Sequence, residues 1–140
     1  MTAEELIEDE ERFVSYVYRD SKGFWTIGFG TLVDRKRGGG ITVEEGRYLM
    51  ANRIRPVYSA LDARAPWWRG LTQARQAVLV SMGYQIGIDG LFKFKRTMAA
   101  MEAGDHEAAA RGMLASKWAR EDSPERAQRA AAVWRTGVWE

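Results

Sequence analysis

The sequence predicts an α+β fold: one short N-terminal helix, a small antiparallel sheet, and then a larger all-helical part. Three observations carry this. Thr2 and Glu5 form a capping-box pattern ahead of an acidic helical stretch. Residues Phe13 to Phe29 are rich in aromatic and β-branched types and are broken by the turn signal Asp20-Ser21-Lys22-Gly23. From Thr42 onward the apolar spacing is helical throughout.

The first helix is expected from about Ala3 to Glu11, with acids in its first turn complementing the helix dipole. The hairpin follows. Its turn suits a type I geometry with Gly23 left-handed, a register that pairs Asp20 with Phe24 and Tyr18 with Thr26. The two-residue period then puts Tyr18, Asp20, Phe24, Thr26, Gly28 and Gly30 on one face and Trp25, Ile27 and Phe29 on the other. The aromatic face is expected to be buried. The opposite face offers a carboxylate, a hydroxyl and two bare backbone positions over which a flat sugar can lie.

A loop, Arg35-Lys36-Arg37-Gly38-Gly39-Gly40, leads to a second capping box at Thr42 and Glu45. A helix runs from Val43 towards Asp62, and Pro56 inside it is expected to kink or break it. A loop containing Pro66 and Gly70 ends at Thr72, an N-cap for Gln73 to Gln85. That segment is apolar almost all round, as a central buried helix is, and Gly87 and Gly90 close it. Further helices are expected over about Phe92–Ala103, Glu107–Ala115 and Pro124–Arg135. The last has Ser123 as N-cap and Pro124 at its first position. The predicted organisation is a single domain over residues 1–140. It holds a β lobe at about 12–41, and a helical lobe at about 71–140 together with helix 3–11. A connecting helix joins them, and the cleft between lobes is the expected ligand site.

Composition narrows the function. Hydrophobic residues make up 46% of the chain, enough for a packed core. There is no cysteine, which excludes a disulfide frame and thiolate metal sites. The single histidine, His106, reads as an ordinary surface residue, and no metal or cofactor is expected. Formal net charge is +2, but residues 4–11 are acidic while Arg35-Lys36-Arg37, Lys93-Lys95-Arg96 and Arg126-Arg129 are basic. No nucleic-acid motif accompanies these runs, so no nucleic-acid partner is expected; they read mostly as solvated helix faces, in a monomer. No stretch approaches the roughly 20 apolar residues of a membrane span, and the acidic N-terminus is unlike a secretory signal.

Glu11 closes the first helix beside the start of the hairpin. Two carboxyl groups flanking a bond, with a hydroxyl to hold a water, are what inverting glycoside hydrolysis requires, at a separation of about 6.5–9.5 Å. Among 19 acidic residues, two near a hairpin are usually solvated or capping, so the spacing alone does not single out catalysis.

A resemblance sharpens the choice. Glu10-Glu11, Tyr18-Arg19-Asp20 and Gly23-Phe24-Trp25-Thr26-Ile27-Gly28-Phe29-Gly30 resemble the catalytic signature of the T-even phage lysozymes (glycoside hydrolase family 24). Tyr84-Gln85-Ile86-Gly87, Phe94, Ser116-Lys117-Trp118, Ser123-Pro124, Arg126-Ala127, Arg129 and Arg135-Thr136-Gly137-Val138-Trp139 follow in the family's order. Only about residues 32–70 align poorly. The resemblance implies a lysozyme-like fold. It also implies hydrolysis of the β-1,4 bond between N-acetylmuramic acid and N-acetylglucosamine in peptidoglycan, with inversion, for host-cell lysis. It makes Glu11 the general acid, Asp20 the carboxylate that activates water and Thr26 the group that positions it. Arg126 matches an arginine that pairs with the glutamate. Leu32, Tyr84, Gln85 and Thr97, with the glycines Gly28 and Gly30, fall along the family's sugar groove, Tyr84 and Thr97 replacing Phe and Ser. Gly112 stands where a groove asparagine is expected, and Thr31 replaces a histidine that forms a salt bridge. Without signal or anchor, the implied route to the wall is release from the cytoplasm through a separate membrane pore. Two rivals remain: a lytic transglycosylase, for which Asp20 and Thr26 are superfluous, and a non-catalytic wall-binding module, which needs no carboxylates.

Overall fold

The computed structural model describes residues 2–34 and 40–139, so the Arg35-Lys36-Arg37 loop expected from the sequence lies outside the described residues. The chain divides into two compact units, Met1–Leu49 and Met50–Glu140. The architecture is α+β, a small antiparallel sheet followed by helices.

The first unit opens with α1 (Ala3–Glu11). Both halves of its capping box are made: Thr2 Oγ1 accepts from the Glu5 amide at 3.1 Å, and Glu5 Oε2 accepts from the Thr2 amide at 2.8 Å. The sheet order is β1 (Val14–Arg19), β2 (Trp25–Gly28), β3 (Thr31–Asp34). β3 was not anticipated as a strand. The β1–β2 register is the expected one, with Tyr18 opposite Thr26 and Arg19 opposite Trp25. Asp20 donates its amide to the Phe24 carbonyl at 2.8 Å, and Gly23, at φ 83°, donates to the Asp20 carbonyl at 2.9 Å.

Two expectations for this sheet are corrected. The aromatic face is not buried: Trp25 and Phe29 are 39% and 40% exposed, whereas Thr26 is only 2% exposed. The pairing has register shifts between Val14 and Tyr18, and between Trp25 and Thr26, where the ladder is locally irregular. The aromatics are covered locally instead, Phe13 against Phe29 at 5.4 Å and the Arg19 guanidinium over Trp25 at 4.8 Å. Nor are the two glycines interior to a strand. Ile27 pairs with Thr31, so Gly28-Phe29-Gly30 is the β2–β3 turn, and the left-handed φ values of 71° and 73° explain both glycines.

The helix α2 (Val43–Arg64) starts with its own capping box at Thr42 and Glu45. It passes through Pro56 without the break that the proline suggested. An interior proline costs about 3 kcal/mol. The next turns bury Val57 and Leu61 at 3% and 0% exposure, and each such side chain contributes about 1.5–3 kcal/mol. Burial therefore wins.

In the second unit, a 3-10 turn (Pro66–Gly70) precedes α3 (Gln73–Ile86), capped by Thr72 as expected. Then come α4 (Ile88–Phe92), α5 (Lys95–Ala103), α6 (His106–Leu114), a π turn (Trp118–Asp122) and α7 (Pro124–Thr136). Gly90 lies inside α4 rather than ending a helix. Ser123 does not cap α7 with its side chain: its amide is drawn to the Trp118 carbonyl at 2.8 Å, closing the π turn, and its backbone leaves the usual cap geometry. The core is the second unit's own, built on Leu61, Trp68, Leu79, Met82, Met101, Met113 and Trp134. His106 also departs from expectation. It is half-buried, edge-on to Trp134 at 6.2 Å, with Nδ1 buried and without a hydrogen-bond partner among the described residues.

Candidate functional site

Asp20 is held by the turn it helps to make. Its Oδ1 accepts from the amides of Lys22 and Phe24, both at 2.9 Å. Aspartate favours this arrangement because its short side chain reaches the backbone two residues on. One oxygen is thus committed to orientation. Among the described residues Oδ2 has no hydrogen-bond partner, so it is the oxygen available for chemistry.

Thr26 lies in the middle strand, with Tyr18 opposite on β1 and Leu32 opposite on β3. Residues directly opposite share a face, and Asp20, two positions beyond Tyr18, joins them. The Thr26 hydroxyl donates to the Phe24 carbonyl at 3.1 Å. Its proton is spent there, which leaves its lone pairs to accept from a water.

Glu11 is the last residue of α1. The helix stops because Arg12 takes φ 58°, ψ 149° while donating its amide to the Glu8 carbonyl at 3.1 Å. Arg12 is the one non-glycine residue with positive φ among the described residues. Such backbones cost about 1–3 kcal/mol and cluster at functional sites. The exposed Glu11 side chain runs against the β2–β3 turn: a Cβ built on Gly30 would lie 2.7 Å from Glu11 Cδ and 3.1 Å from Cγ. The Glu11 carboxylate is therefore seated against Gly30. Gly28 differs, with open space where its Cβ would be. The first unit thus places Glu11, Asp20, Thr26, Gly28, Gly30 and Leu32.

The second unit holds the other candidates. Tyr84, Gln85 and Arg126 line a cavity of about 400 Å3 together with Trp118, Arg129 and Trp139. Gln85 Oε1 and Trp118 Nε1 are buried there without hydrogen-bond partners among the described residues. Trp118 and Trp139 were noted in the sequence only as matching positions; two tryptophans beside two arginines were the available signal for a binding surface. Thr97 is apart from that cavity. It is 6% exposed, and Thr97 Oγ1 fills the space a side chain at Gly112 would need, so a side chain as large as asparagine has no room at 112. Thr31 is exposed at the start of β3.

No group of three or more His, Asp or Glu side chains suited to a metal occurs among the described residues. No helix among them is long and apolar enough to cross a membrane.

A family model described as Phage lysozyme matches residues 8–132. The chain is 26% identical, over 162 aligned positions, to the pre-baseplate central spike protein Gp5 of Enterobacteria phage T4. That alignment covers 98% of this chain and 28% of the spike protein, so the chain spans little more than a quarter of that relative's length. It is 22% identical over 148 positions to a probable T4-type lysozyme 1 of Dictyostelium discoideum, covering 87% of this chain and 86% of that protein.

Proposed function

This chain belongs to the phage lysozyme family, and on that premise we propose that it hydrolyses the glycan strands of peptidoglycan at the β-1,4 bond between N-acetylmuramic acid and N-acetylglucosamine. The observation that supports this best is the Glu11 carboxylate seated on Gly30, in the same small unit whose sheet carries Asp20 and Thr26 on one face.

In this reading Glu11 gives its proton to the glycosidic oxygen as that bond breaks. Asp20 Oδ2 takes a proton from the water that attacks the anomeric carbon from the opposite side. Thr26, whose own proton is held by the Phe24 carbonyl, accepts a hydrogen bond from that water and aims it. Nothing is left over: one water is consumed, and each half of the cut strand gains one part of it. Leu32, Tyr84, Gln85, Thr97 and Arg126 bind the glycan, and the open backbone at Gly28 admits close approach of a sugar. The protein acts as a monomer on the cell wall after release through a separate membrane pore, and serves host lysis.

The test is the anomeric configuration of the fresh product, followed by NMR before mutarotation, in wild type and Glu11→Gln. Inversion by wild type, with a loss of about 10²–10⁴-fold in Glu11→Gln, is the expected result. Retained configuration removes the water-activating role of Asp20, and full activity in a folded Glu11→Gln protein removes Glu11 as the acid.

A further inference from the structure

We propose that the recess where the end of α2, the 3-10 turn and α5 meet binds an amino-acid end group, an ammonium and a carboxylate carried on one carbon. The assignment does not rest on the hydrolase reading and uses none of the residues placed along the glycan. The recess, of about 230 Å3, is lined by Arg64, Trp67, Phe92, Lys95, Met98 and Glu102 among others. Pockets for drug-sized ligands run to about 300–1,000 Å3, so this one suits an end group rather than a long chain.

The helix face supplies the first reason. Lys95, Met98, Ala99 and Glu102 have the spacing that puts residues on one face of α5, and all four line the recess. Buried Met98 and small Ala99 lie between Lys95 and Glu102, which are exposed. At 1.5 Å per residue the two charged positions stand about 10 Å apart along the axis. Neither is in an ion pair among the described residues. Both are also placed against the helix dipole. Lys95 begins α5 and Glu102 is in its last turn, with no acid in the first turn and no base in the last. The stability of their own helix explains neither charge, and such departures from local preference are expected where function makes the demand.

The facing wall supplies an independent reason. The Arg64 guanidinium carbon lies 3.9 Å from the centre of the Phe92 ring. Stacking restrains a side chain that is otherwise long and free, and a guanidinium so held can meet a carboxylate with two parallel N–H bonds. Arg64 too is in no ion pair among the described residues. Arg69 lies over Tyr58 and Trp68, so among the described residues no arginine of this region covers Trp67. The half-buried Trp67 therefore offers its ring to an ammonium, or to the carbons beside it.

The three charges select the ligand. A simple anion meets Arg64 and Lys95 but is repelled by Glu102. A simple cation meets Glu102 but is repelled by the other two. A group with both charges on one carbon answers all three, its carboxylate on Arg64 and Lys95 and its ammonium on Glu102. Trp67 and Met98 supply apolar surface for the rest of the residue. A free amino acid carries this group, and so does the free diamino-acid end of an uncrosslinked wall peptide.

The experiment is an NMR titration of the whole chain with leucine, N-acetylleucine, leucinamide and a soluble wall peptide bearing a free diamino-acid end. Saturable shifts at the Trp67 indole and at amides 95–102 are expected with leucine. N-acetylleucine, which lacks the ammonium, and leucinamide, which lacks the carboxylate, should each bind at least tenfold more weakly. Glu102→Gln should weaken leucine at least tenfold and leave N-acetylleucine unchanged. Arg64→Gln should weaken leucine at least tenfold and leave leucinamide unchanged, while Arg111→Gln alters none of them. Tighter binding of the wall peptide than of leucine assigns the group to the wall, and the reverse order assigns it to free amino acids. Equal binding of leucine and its two derivatives shows an apolar recess and overturns the assignment. Absence of saturable shifts with leucine and with the wall peptide overturns the site. Circular dichroism of the variants separates lost binding from lost fold.

Discussion

The Glu11 carboxylate occupies the space that a side chain at Gly30 would need. Gly30 is also left-handed, at φ 73°, so both the neighbouring carboxylate and the backbone disfavour a larger residue there. Gly30→Ala is expected to push the Glu11 carboxyl off its seat, and to add about 1–2 kcal/mol of backbone strain. Activity on purified cell wall should fall at least tenfold while the helical far-UV signal is kept. Gly104→Ala, left-handed at φ 77° and meeting no neighbouring atom, carries only the strain and lies at the end of α5 away from the site, so it is the matched control. Equal losses in the two variants would mean that Glu11 gains nothing from its place against Gly30.

Asp20 has two duties that substitution can separate. Asp20→Asn keeps an oxygen for the Lys22 and Phe24 amides but cannot take a proton from water. Asp20→Ala loses both. Both variants should be inactive, and only Asp20→Ala should lose about 1 kcal/mol of stability, read from denaturant midpoints at unchanged slope. Activity in Asp20→Asn near that of wild type would reduce Asp20 to a turn residue.

The features legible in the sequence are those that neighbouring residues decide among themselves. The capping boxes at Thr2 and Thr42 and the Asp20–Gly23 turn join residues two to four apart, and the turn then determined that Tyr18 faces Thr26. What was not legible depends on distant partners or on competition for one group. Gly30 reads as a bare strand position until α1 brings Glu11 against it. Ser123 reads as a cap until the π turn, closed by its amide on the Trp118 carbonyl, holds its backbone away from cap geometry. The aromatic face reads as buried because bulky side chains ordinarily face a core, whereas Trp25 and Phe29 stay 39% and 40% exposed and Thr26 on the other face is covered. Pro56 reads as a helix breaker because the burial of Leu61 that outweighs it is tertiary.

His106 and Arg75 illustrate the same reach and carry a pH prediction. Arg75 Nε donates to the Trp134 carbonyl at 2.8 Å and Nη2 to the Arg135 carbonyl at 3.3 Å, fastening the end of α7 to α3. Burial, followed by the charge of Arg75, holds the His106 pKa below its ordinary 6.5, with Asp105 opposing in part. The unfolded chain then binds the proton more readily than the folded one. Stability therefore falls as pH drops below about 6.5, and the loss is complete below the lowered folded value. Between pH 7.5 and 5.5 the melting temperature of His106→Gln should fall less than that of wild type. Arg75→Met should lower it at every pH, by about 6 °C for about 2 kcal/mol of lost charge-assisted bonds. Parallel wild-type and His106→Gln profiles would show that the half-buried ring is not coupled to folding.

The central claim is that water, held by Asp20 and Thr26, enters the product. Digestion of purified peptidoglycan in water enriched in oxygen-18, with mass spectrometry of the released fragments, tests it most directly. The account predicts reducing-end fragments that each carry one heavy oxygen. Fragments ending in anhydro sugars without the label would contradict it, and would leave Glu11 acting without the activated water.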